Sequence, residues 1–390
     1  MYGSSAAENT ASSAAIEHEP ASFARWLAAI VCVPLGLLLA LAGLLSVALG
    51  RTELTVWGWL WSIDALALAV GLVTIVSRHP TLVRLRIGGG LGLVLLALVR
   101  VAFYGGTDAA RLVVIDRAGE ESSRARLLDR LFEERDAAMV GSRLLVLVGA
   151  VPAREFPTLP PLLAEAYPRV ERDAPRLGTP IPATLLGLQR ADAFDAIVVA
   201  PGTGEGELGV VLLHGSAGNF ALQCLEVARV ARAEGAITIC PSTRFEGDWW
   251  RGDGEDIVRA SIAHLRARGA REIVLVGLSN GGVGASRLAP RLGREIDGLV
   301  LLSGLSPRAP SAAVPTLVIQ GDRDTMVRTS AVRAWARGRA RVRYVELPGT
   351  HFVLLEERER VAEALRRAFD TRSRELARVR SGSPPPPAGR

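Results

Sequence analysis

A serine between two glycines, in residues 277–281 (Gly-Leu-Ser-Asn-Gly), restricts the possible folds more than any other feature of the sequence. The apolar run before it, residues 272–276, predicts a short buried strand, and the run after it, residues 282–292, predicts a helix. This pattern is typical of a nucleophile elbow, a strained turn from strand to helix. Glycine fits there because a Cβ atom would collide with the neighbouring strand or helix. The pattern therefore predicts that the Ser279 hydroxyl is exposed at the carboxyl edge of a sheet.

Residues that could activate Ser279 follow it in the chain. Of the five histidines only His351 comes after Ser279, in a loop between a strand-like run and a charged, helix-like run. Between these two residues, another apolar run is followed by a turn that carries Asp322 and Asp324. A serine hydroxyl is a weak nucleophile unless a neighbouring base takes its proton, so the sequence predicts His351 as that base.

Four motifs in this order resemble those of the α/β hydrolases, and the resemblance covers roughly residues 194–370. They are the elbow, a His-Gly loop in residues 212–218, an acid turn in residues 321–324 and a histidine loop in residues 349–351. The resemblance implies a doubly wound, mostly parallel sheet, which the alternation of strand-like and helix-like runs also predicts. It further implies acyl transfer to water through an acyl-enzyme.

The resemblance also implies a role for each candidate residue. Ser279 would attack a carbonyl carbon, His351 would act first as base and then as acid, and Asp324 would orient the imidazole. The spacing from the glycine of the acid turn favours Asp324 over Asp322. The oxyanion formed on the carbonyl would be bound by backbone N–H groups, namely those of Asn280 and of Ser216 or Ala217.

The sequence leaves two points undecided: which aspartate is the acid, and whether the turn at Ser279 is a nucleophile elbow. Asp322 lies in the same turn as Asp324, and Asp297, just before a strand-like run, is a weaker rival. Ser279 could instead lie in an ordinary strand-to-helix turn of a Rossmann-like unit. His214 is expected to be structural, because in such a loop it hydrogen-bonds and packs.

The loop of residues 244–251 predicts part of a substrate pocket. It follows a strand-like run, so we expect it at the carboxyl edge of the sheet, where ligands bind in open α/β sheets. The side chains that could line an acyl or leaving-group pocket are Phe245, Trp249 and Trp250. The alternative is that the two tryptophans pack the loop. The connection of residues 303–313 is too short for a large cap, so an open site is expected.

Composition excludes several other classes of function. The sequence contains no lysine, which excludes a Walker A loop and Schiff-base or pyridoxal chemistry. It shows neither a His-Glu-x-x-His pattern nor the paired-cysteine spacing of a zinc site, so no cofactor and no metal are expected. The net charge is +6, but the arginines are spread along the chain without an aromatic platform, so no nucleic-acid partner is expected.

The first third of the chain predicts a membrane anchor. After an N-terminal tail of residues 1–25 come three apolar runs that could span a bilayer as helices, in residues 26–49, 56–76 and 87–103. The second connection carries three arginines, Arg78, Arg84 and Arg86, whereas the first carries only Arg51. The positive-inside rule places the second connection in the cytoplasm, so after three spans the rest of the chain is extracytoplasmic. If the third run is a surface helix, the rest of the chain is cytoplasmic instead.

Three further segments complete the predicted organisation. Residues 105–193 are a linker or accessory segment that is partly the start of the hydrolase sheet. Within it the patterns predict short elements: strands over 112–115 and 144–148, and a charged helix over 119–139. Residues 194–370 are the hydrolase domain, and residues 371–390 are a basic, proline-rich tail that is expected to be disordered. None of the three cysteines demands a disulfide, so they indicate no compartment.

The resemblance and the apolar runs together imply a serine hydrolase anchored in the cell membrane. It would cleave a carboxylic ester, or a related acyl compound, with a Ser-His-Asp triad. The expected partners are a small-molecule or lipid ester and the membrane lipids. The alternative is a non-catalytic membrane protein that uses a hydrolase-like domain as a binding module, although the intact serine, aspartate and histidine argue against it.

Overall fold

The chain divides into two units, each held together by its own internal contacts. The structure, a computed structural model, describes the chain in four stretches, residues 21–50, 53–75, 77–202 and 206–381. Of the predicted N-terminal tail of residues 1–25, the part up to residue 20 lies outside the described residues, as does the proline-rich end after Ser381. The first helix already begins at Ala21, within that predicted tail. Of the described residues, one unit contains those up to Leu44 together with those of Trp61–Val94, and the other contains those of Leu45–Leu60 and those from Leu95 onward.

Long apolar helices dominate the first third of the chain: α1 (Ala21–Gly50), α2 (Val56–Val73) and α3 (Pro80–Phe103). Among the described residues, these three helices are long and apolar enough to cross a membrane, by length and composition. Helix α3 begins before the predicted start at residue 87, because Pro80 fits the first turn of a helix. Many of their leucine and valine side chains are exposed, as expected of side chains that face lipid.

Glycines allow α2 to pack closely against both of the other apolar helices. A Cβ atom at Gly36 of α1 would lie 3.0 Å from the Ala69 carbonyl oxygen of α2, and one at Gly89 of α3 would lie 2.9 Å from the Leu68 nitrogen. Small residues that let backbones approach are common between helices in membranes, so this packing is consistent with the predicted anchor.

In the described part of the chain, nine strands form one sheet. In chain order they are β1 (Ala110–Ile115), β2 (Glu121–Arg124), β3 (Phe194–Val199), β4 (Leu208–Leu213), β5 (Ile237–Pro241), β6 (Glu272–Leu278), β7 (Gly298–Leu302), β8 (Thr316–Gly321) and β9 (Val342–Leu347). Across the sheet the order is β2-β1-β3-β5-β4-β6-β7-β8-β9. The pairs from β5 to β9 are parallel, whereas β1, β2 and β3 pair antiparallel. The prediction of a doubly wound, mostly parallel sheet with the α/β-hydrolase fold is confirmed.

Helices cover both faces of this sheet. After α3 they are α4 (Glu134–Leu147), α5 (Leu159–Asp173), α6 (Ile181–Leu185), α7 (Ala221–Ala233), α8 (Gly254–Ala267), α9 (Asn280–Leu292), α10 (Thr329–Ala336), α11 (Val353–Glu356) and α12 (Arg358–Ser381). One core cluster packs α8, α9 and α10 on one face through Ile257, Leu288 and Val332. The other packs α7 and α12 on the opposite face through Val227 and Leu365. The central strands are therefore almost continuous runs of buried apolar residues.

The strand order creates a crevice beside β4. From β4 the chain passes to β5 on one side and then to β6 on the other, so the winding direction changes there. Leu213 at the end of β4 pairs with Gly277 near the end of β6. Ligands in open α/β sheets bind at the carboxyl ends of strands at such a switch point, so the loops after β4 and β6 are in the expected position for a site.

Two elements predicted in the accessory segment are wrong. Residues 121–124 form the exposed edge strand β2 instead of a helix, because they pair with β1. Residues 144–147 continue α4 instead of forming a strand, because a short apolar run cannot by itself distinguish a strand from a buried helix. The strand predicted over 112–115 is confirmed as part of β1. The expectation that the tail is disordered from residue 371 is wrong for residues 371–381, because helix α12 continues to Ser381.

Cysteine pairing is the third difference from expectation. Cys224 of α7 and Cys240 of β5 form a disulfide with an S–S distance of 2.09 Å and a Cα–Cα distance of 5.9 Å. The sequence demanded no such bond, because only the packing of α7 against the sheet brings two residues 16 positions apart into contact. Both cysteines are fully buried, whereas Cys32 in α1 is free.

Candidate active site

Ser279 occupies the turn between β6 and α9, as the elbow pattern predicts. Its backbone angles are φ 54° and ψ −121°, a strained conformation for a residue with a side chain. A Cβ atom at Gly281 would lie 2.0 Å from the Leu213 carbonyl oxygen, so glycine is required for the close approach of the elbow to β4. A Cβ atom at Gly304, after β7, would lie 1.9 Å from the Ser279 carbonyl oxygen. Gly304 is thus part of the support of the elbow, and the sequence pattern did not identify it.

A continuous row of hydrogen bonds joins Ser279, His351 and Asp324. The Nε2 atom of His351 lies 2.8 Å from the Oγ atom of Ser279, and its Nδ1 atom lies 2.9 Å from Oδ2 of Asp324. His351 lies in the loop after β9, and Asp324 lies in the turn after β8. The structure therefore brings together the three residues that the sequence assigned to the triad, in distances suited to proton transfer from Ser279 to His351.

Hydrogen-bond donors fix the carboxylate of Asp324. Its Oδ1 atom accepts the backbone N–H groups of Met326 at 2.9 Å and Val327 at 2.8 Å. Its Oδ2 atom accepts the side-chain amide of Gln320 at 2.7 Å, in addition to its contact with His351. The carboxylate is fully buried, and these donors satisfy its oxygens and hold it in position.

The two rival aspartates lie in other contacts. The Oδ1 atom of Asp322 accepts the backbone N–H of Gly349 at 2.9 Å, and its side chain is 44% exposed. The Oδ2 atom of Asp297 accepts the backbone N–H of Ile273 at 2.8 Å, at the amino end of β6. Neither carboxylate contacts His351 among the described residues, so the geometry favours Asp324 as the acid.

The loop after β4 passes directly beside the elbow. A Cβ atom at Gly215 would lie 2.8 Å from the Cβ atom of Ser279. Ala217 and Gly218 have positive φ angles of 77° and 97°, which turn the loop sharply. The side-chain amide of Asn280 donates to the Ser216 hydroxyl at 3.0 Å and so ties the loop to the start of α9.

Backbone N–H groups of this loop and of α9 are the candidate oxyanion donors. Asn280 is the first residue of α9, and N–H groups in the first turn of a helix have no acceptor within the helix. In the stretches that the structure describes, the N–H groups of Ser216 and Ala217 donate to no backbone acceptor. The sequence-predicted donors thus lie on the two segments that approach Ser279, where anions are favoured by the helix N-terminus.

His214 supports this loop from inside the core. Its Nδ1 atom lies 2.7 Å from the Gly215 carbonyl oxygen, and its Nε2 atom accepts the backbone N–H of Thr243 at 3.1 Å. Burial lowers the pKa of His214 to about 4, so the imidazole is neutral near pH 7. These contacts are those of the structural residue that the sequence led us to expect.

The three aromatic residues of the predicted pocket have different environments. Trp249 is fully buried in the core, where its indole N–H donates to the His214 carbonyl oxygen at 2.9 Å, a position that fits the packing alternative. Phe245 is partly exposed. Trp250 is also partly exposed and lies under the guanidinium of Arg287, 4.4 Å from its ring centre. Phe245 and Trp250 therefore remain available to line a pocket.

Glu155 lies beside the row of Ser279, His351 and Asp324, and the sequence did not suggest it. It lies in the accessory segment between α4 and α5, and it is 1% exposed. Its carboxylate accepts the backbone N–H groups of Thr325 at 3.0 Å and His351 at 3.3 Å. No motif surrounds Glu155, so only the fold could place it here. Among the described residues, no cluster of side chains suited to a metal ion is found.

Comparison with known proteins finds solved structures whose similarity to this chain is low. No protein-family model matches the sequence, and no curated protein matches it. Similar structures include Est1E from Butyrivibrio proteoclasticus, 18% identical with a TM-score of 0.40 over 48% of this chain and 96% of that one. They also include a hyperthermophilic esterase from the archaeon Pyrobaculum calidifontis, 18% identical with a TM-score of 0.39 over 47% of this chain and 82% of that one. Each likeness covers less than half of this chain, and the fold assignment here rests on the strand order and its connections.

Proposed function

We propose that this protein is a serine hydrolase, anchored in the cell membrane, that cleaves a carboxylic ester or a related acyl compound. The observation that carries the proposal is the hydrogen-bonded row of Asp324, His351 and Ser279 at the switch point of the sheet. Three separate loops supply these residues, and the serine occupies a strained elbow. A binding module would have no need of a serine aligned with an imidazole base that a carboxylate orients.

The first half of the reaction forms an acyl-enzyme. His351 Nε2 takes the proton of the Ser279 hydroxyl while the serine oxygen bonds to the carbonyl carbon of the ester. The carbonyl π electrons move to oxygen, and backbone N–H groups of Asn280 and of Ser216 or Ala217 bind that oxyanion. When the oxyanion collapses, the bond from carbon to the leaving oxygen breaks, and His351 gives its proton to the departing alcohol.

The second half repeats these steps with water. His351 removes a proton from water, the hydroxide attacks the acyl carbon, and the bond to Ser279 breaks with return of the proton to the serine oxygen. Asp324 stays charged throughout and holds the Nδ1 proton of His351, which keeps Nε2 free to act on the serine. The products are a carboxylic acid and an alcohol. A small-molecule ester or a lipid ester fits this chemistry equally.

The test of this proposal is covalent labelling with a fluorophosphonate probe on the full-length protein in detergent. We expect wild type to be labelled and to hydrolyse p-nitrophenyl acetate and butyrate, and Ser279→Ala to lose both activities. The matched control is Ser303→Ala, because Ser303 also follows a central strand and also has a positive φ angle. Its buried hydroxyl has no hydrogen-bond partner among the described residues. This control should be labelled like wild type. Folded wild-type protein that is not labelled would favour the binding module, and labelling that survives in Ser279→Ala would identify a different nucleophile.

We further propose that the hydrolase domain is extracytoplasmic. Arg78 lies in the connection between α2 and α3, and Arg84 and Arg86 lie in the first turns of α3. These three arginines near one end of the spans support this orientation through the positive-inside rule. The disulfide between Cys224 and Cys240 supports it independently, because such bonds persist in oxidising compartments and are rare in the cytoplasm.

This orientation predicts the redox state of the cysteines in cells. In protein denatured directly from membranes, a maleimide-coupled polymer should modify Cys32 alone, and prior reduction should add Cys224 and Cys240. The gel shift of the Cys32→Ser variant, which should be unlabelled before reduction, is the control. Free Cys224 and Cys240 in protein trapped directly from cells would place the domain in the cytoplasm instead.

A further inference from the structure

Glu155 holds the two loops that carry the acid and the base of the triad. One carboxylate oxygen, Oε1, accepts both the backbone N–H and the side-chain hydroxyl of Thr325, the residue after Asp324. The other oxygen, Oε2, accepts the backbone N–H of His351 itself. A single rigid carboxylate therefore sets the distance between the loop after β8 and the loop after β9.

The side-chain contacts of Glu155 are all hydrogen-bond donors from these two loops. The side chain is buried, and no arginine or histidine side chain forms an ion pair with it among the described residues. Removing a carboxylate from water is costly unless its oxygens accept strong hydrogen bonds. An apolar side chain would avoid that cost but would leave the N–H groups of Thr325 and His351 unpaired.

The position of Glu155 matters because the hydrogen bonds of the triad depend on the distance between the loops after β8 and β9. The bond of 2.9 Å from His351 Nδ1 to Asp324 fixes the tautomer and the direction of the imidazole. A shift of one loop against the other would lengthen this bond and also the contact of 2.8 Å to Ser279. Misplacement of reacting groups by about 1 Å can cost on the order of 100-fold in rate.

We propose that Glu155 is a positioning residue for the triad, which makes the accessory segment part of the catalytic apparatus. The inference rests on the proposed function, since it assigns Glu155 a role in the same site. Glu155 acts through the backbone of Thr325 and His351 and does not touch the substrate. Its role is to keep Asp324 and His351 in hydrogen-bond contact while charge develops on the imidazole.

The decisive experiment compares Glu155→Gln with Glu134→Gln in the full-length protein. Glu134 is the matched control: it is a buried carboxylate of the same segment, and it also accepts two backbone N–H groups, those of Ala221 at 2.6 Å and Leu222 at 3.0 Å. These N–H groups belong to the first turn of α7 and not to the loops that carry Asp324 and His351. The two substitutions thus remove comparable contacts, one behind the triad and one elsewhere.

For Glu155→Gln we expect kcat for p-nitrophenyl butyrate to fall about 10- to 100-fold, with KM within about threefold of wild type. A glutamine presents only one acceptor oxygen, and its NH₂ group would face a donor. The imidazolium of His351 would lose part of its contact with Asp324, so the acidic limb of the kcat/KM profile should move to lower pH. Glu134→Gln should lower the unfolding temperature but leave kcat within about twofold and the pH profile in place.

Each outcome decides the question. If folded Glu155→Gln had the kcat and the pH profile of wild type, the inference would be overturned. It would also be overturned if Glu134→Gln lost as much kcat as Glu155→Gln. If Glu155→Gln does not fold, Thr325→Val, which removes only the hydroxyl contact, should still lower kcat about threefold or more, and no change would overturn the inference. Failure of the proposed function would show differently, as fluorophosphonate labelling that is absent from wild type or persists in Ser279→Ala.

Discussion

Replacing His351 with alanine is expected to lower kcat for p-nitrophenyl butyrate by about 10⁴- to 10⁶-fold, with little change in the unfolding temperature. His351 is the group within hydrogen-bond distance of the Ser279 hydroxyl, so without it the serine stays protonated. The residual rate would come from substrate binding and the oxyanion donors alone. The measurement is steady-state turnover of the purified protein in detergent.

The same experiment shows whether His351 and Ser279 act as one unit. Because each needs the other, the Ser279→Ala, His351→Ala double variant should be no slower than either single variant. His79→Ala is the control, since this exposed histidine lies between α2 and α3, outside the sheet and its covering helices, and the variant should turn over like wild type. A His351→Ala variant that keeps a tenth or more of wild-type kcat would exclude this histidine as the base.

Asp324→Asn is expected to lower kcat by about 10⁴-fold near pH 7 while Asp322→Asn stays within about threefold of wild type. An asparagine can turn its NH₂ group toward Nδ1 of His351, which stabilises the tautomer that carries its proton on Nε2 and cannot accept the serine proton. Asp322 lacks this contact and instead holds the backbone of Gly349. Steady-state kinetics of both variants would decide between the two acids that the sequence left open.

The reverse pattern, with the large loss in Asp322→Asn, would mean that the acid turn adopts another arrangement during catalysis. Equal and small losses would mean that neither aspartate orients His351. Thermal unfolding of both variants separates these cases from general destabilisation, because Asp324 is buried and fixed by donors, whereas Asp322 is partly exposed.

The elbow was predictable because its signal is contiguous. A buried strand, the five-residue glycine and serine pattern and a helix follow one another directly in residues 272–292. His351 was predictable by its position after Ser279, and the sheet class by the regular alternation of strands and helices. The choice between Asp322 and Asp324 needed the structure, because both lie in one turn and only its backbone path decides which side chain meets the imidazole.

Glu155, Gly304 and the disulfide could not be predicted, for one shared reason. Their contacts join segments that only the fold brings together, and Glu155 even lies 170 residues from Thr325 and 196 from His351. A single glutamate in a proline-rich stretch has no periodic neighbours to reveal it. The edge strand β2 was missed because it is exposed along its whole length, so it shows no alternation between buried and exposed residues.

The place of β1 decides where the chain can be shortened to give a soluble fragment. A fragment that began at residue 194, the start expected from sequence, would lose β1 and β2 and leave β3 unpaired on one side. All six residues of β3 are buried in the intact sheet, and an unpaired apolar edge strand invites pairing between chains. Such a fragment would also lack Glu155.

A fragment beginning just before β1 keeps the sheet, but it gives up the contacts of α4 with the connection between α1 and α2, namely Asp136 with Thr55 and Arg143 with Glu53. Removing the apolar helices should therefore give a more soluble fragment, but α4, the helix before Glu155, would lose contacts that hold it in place.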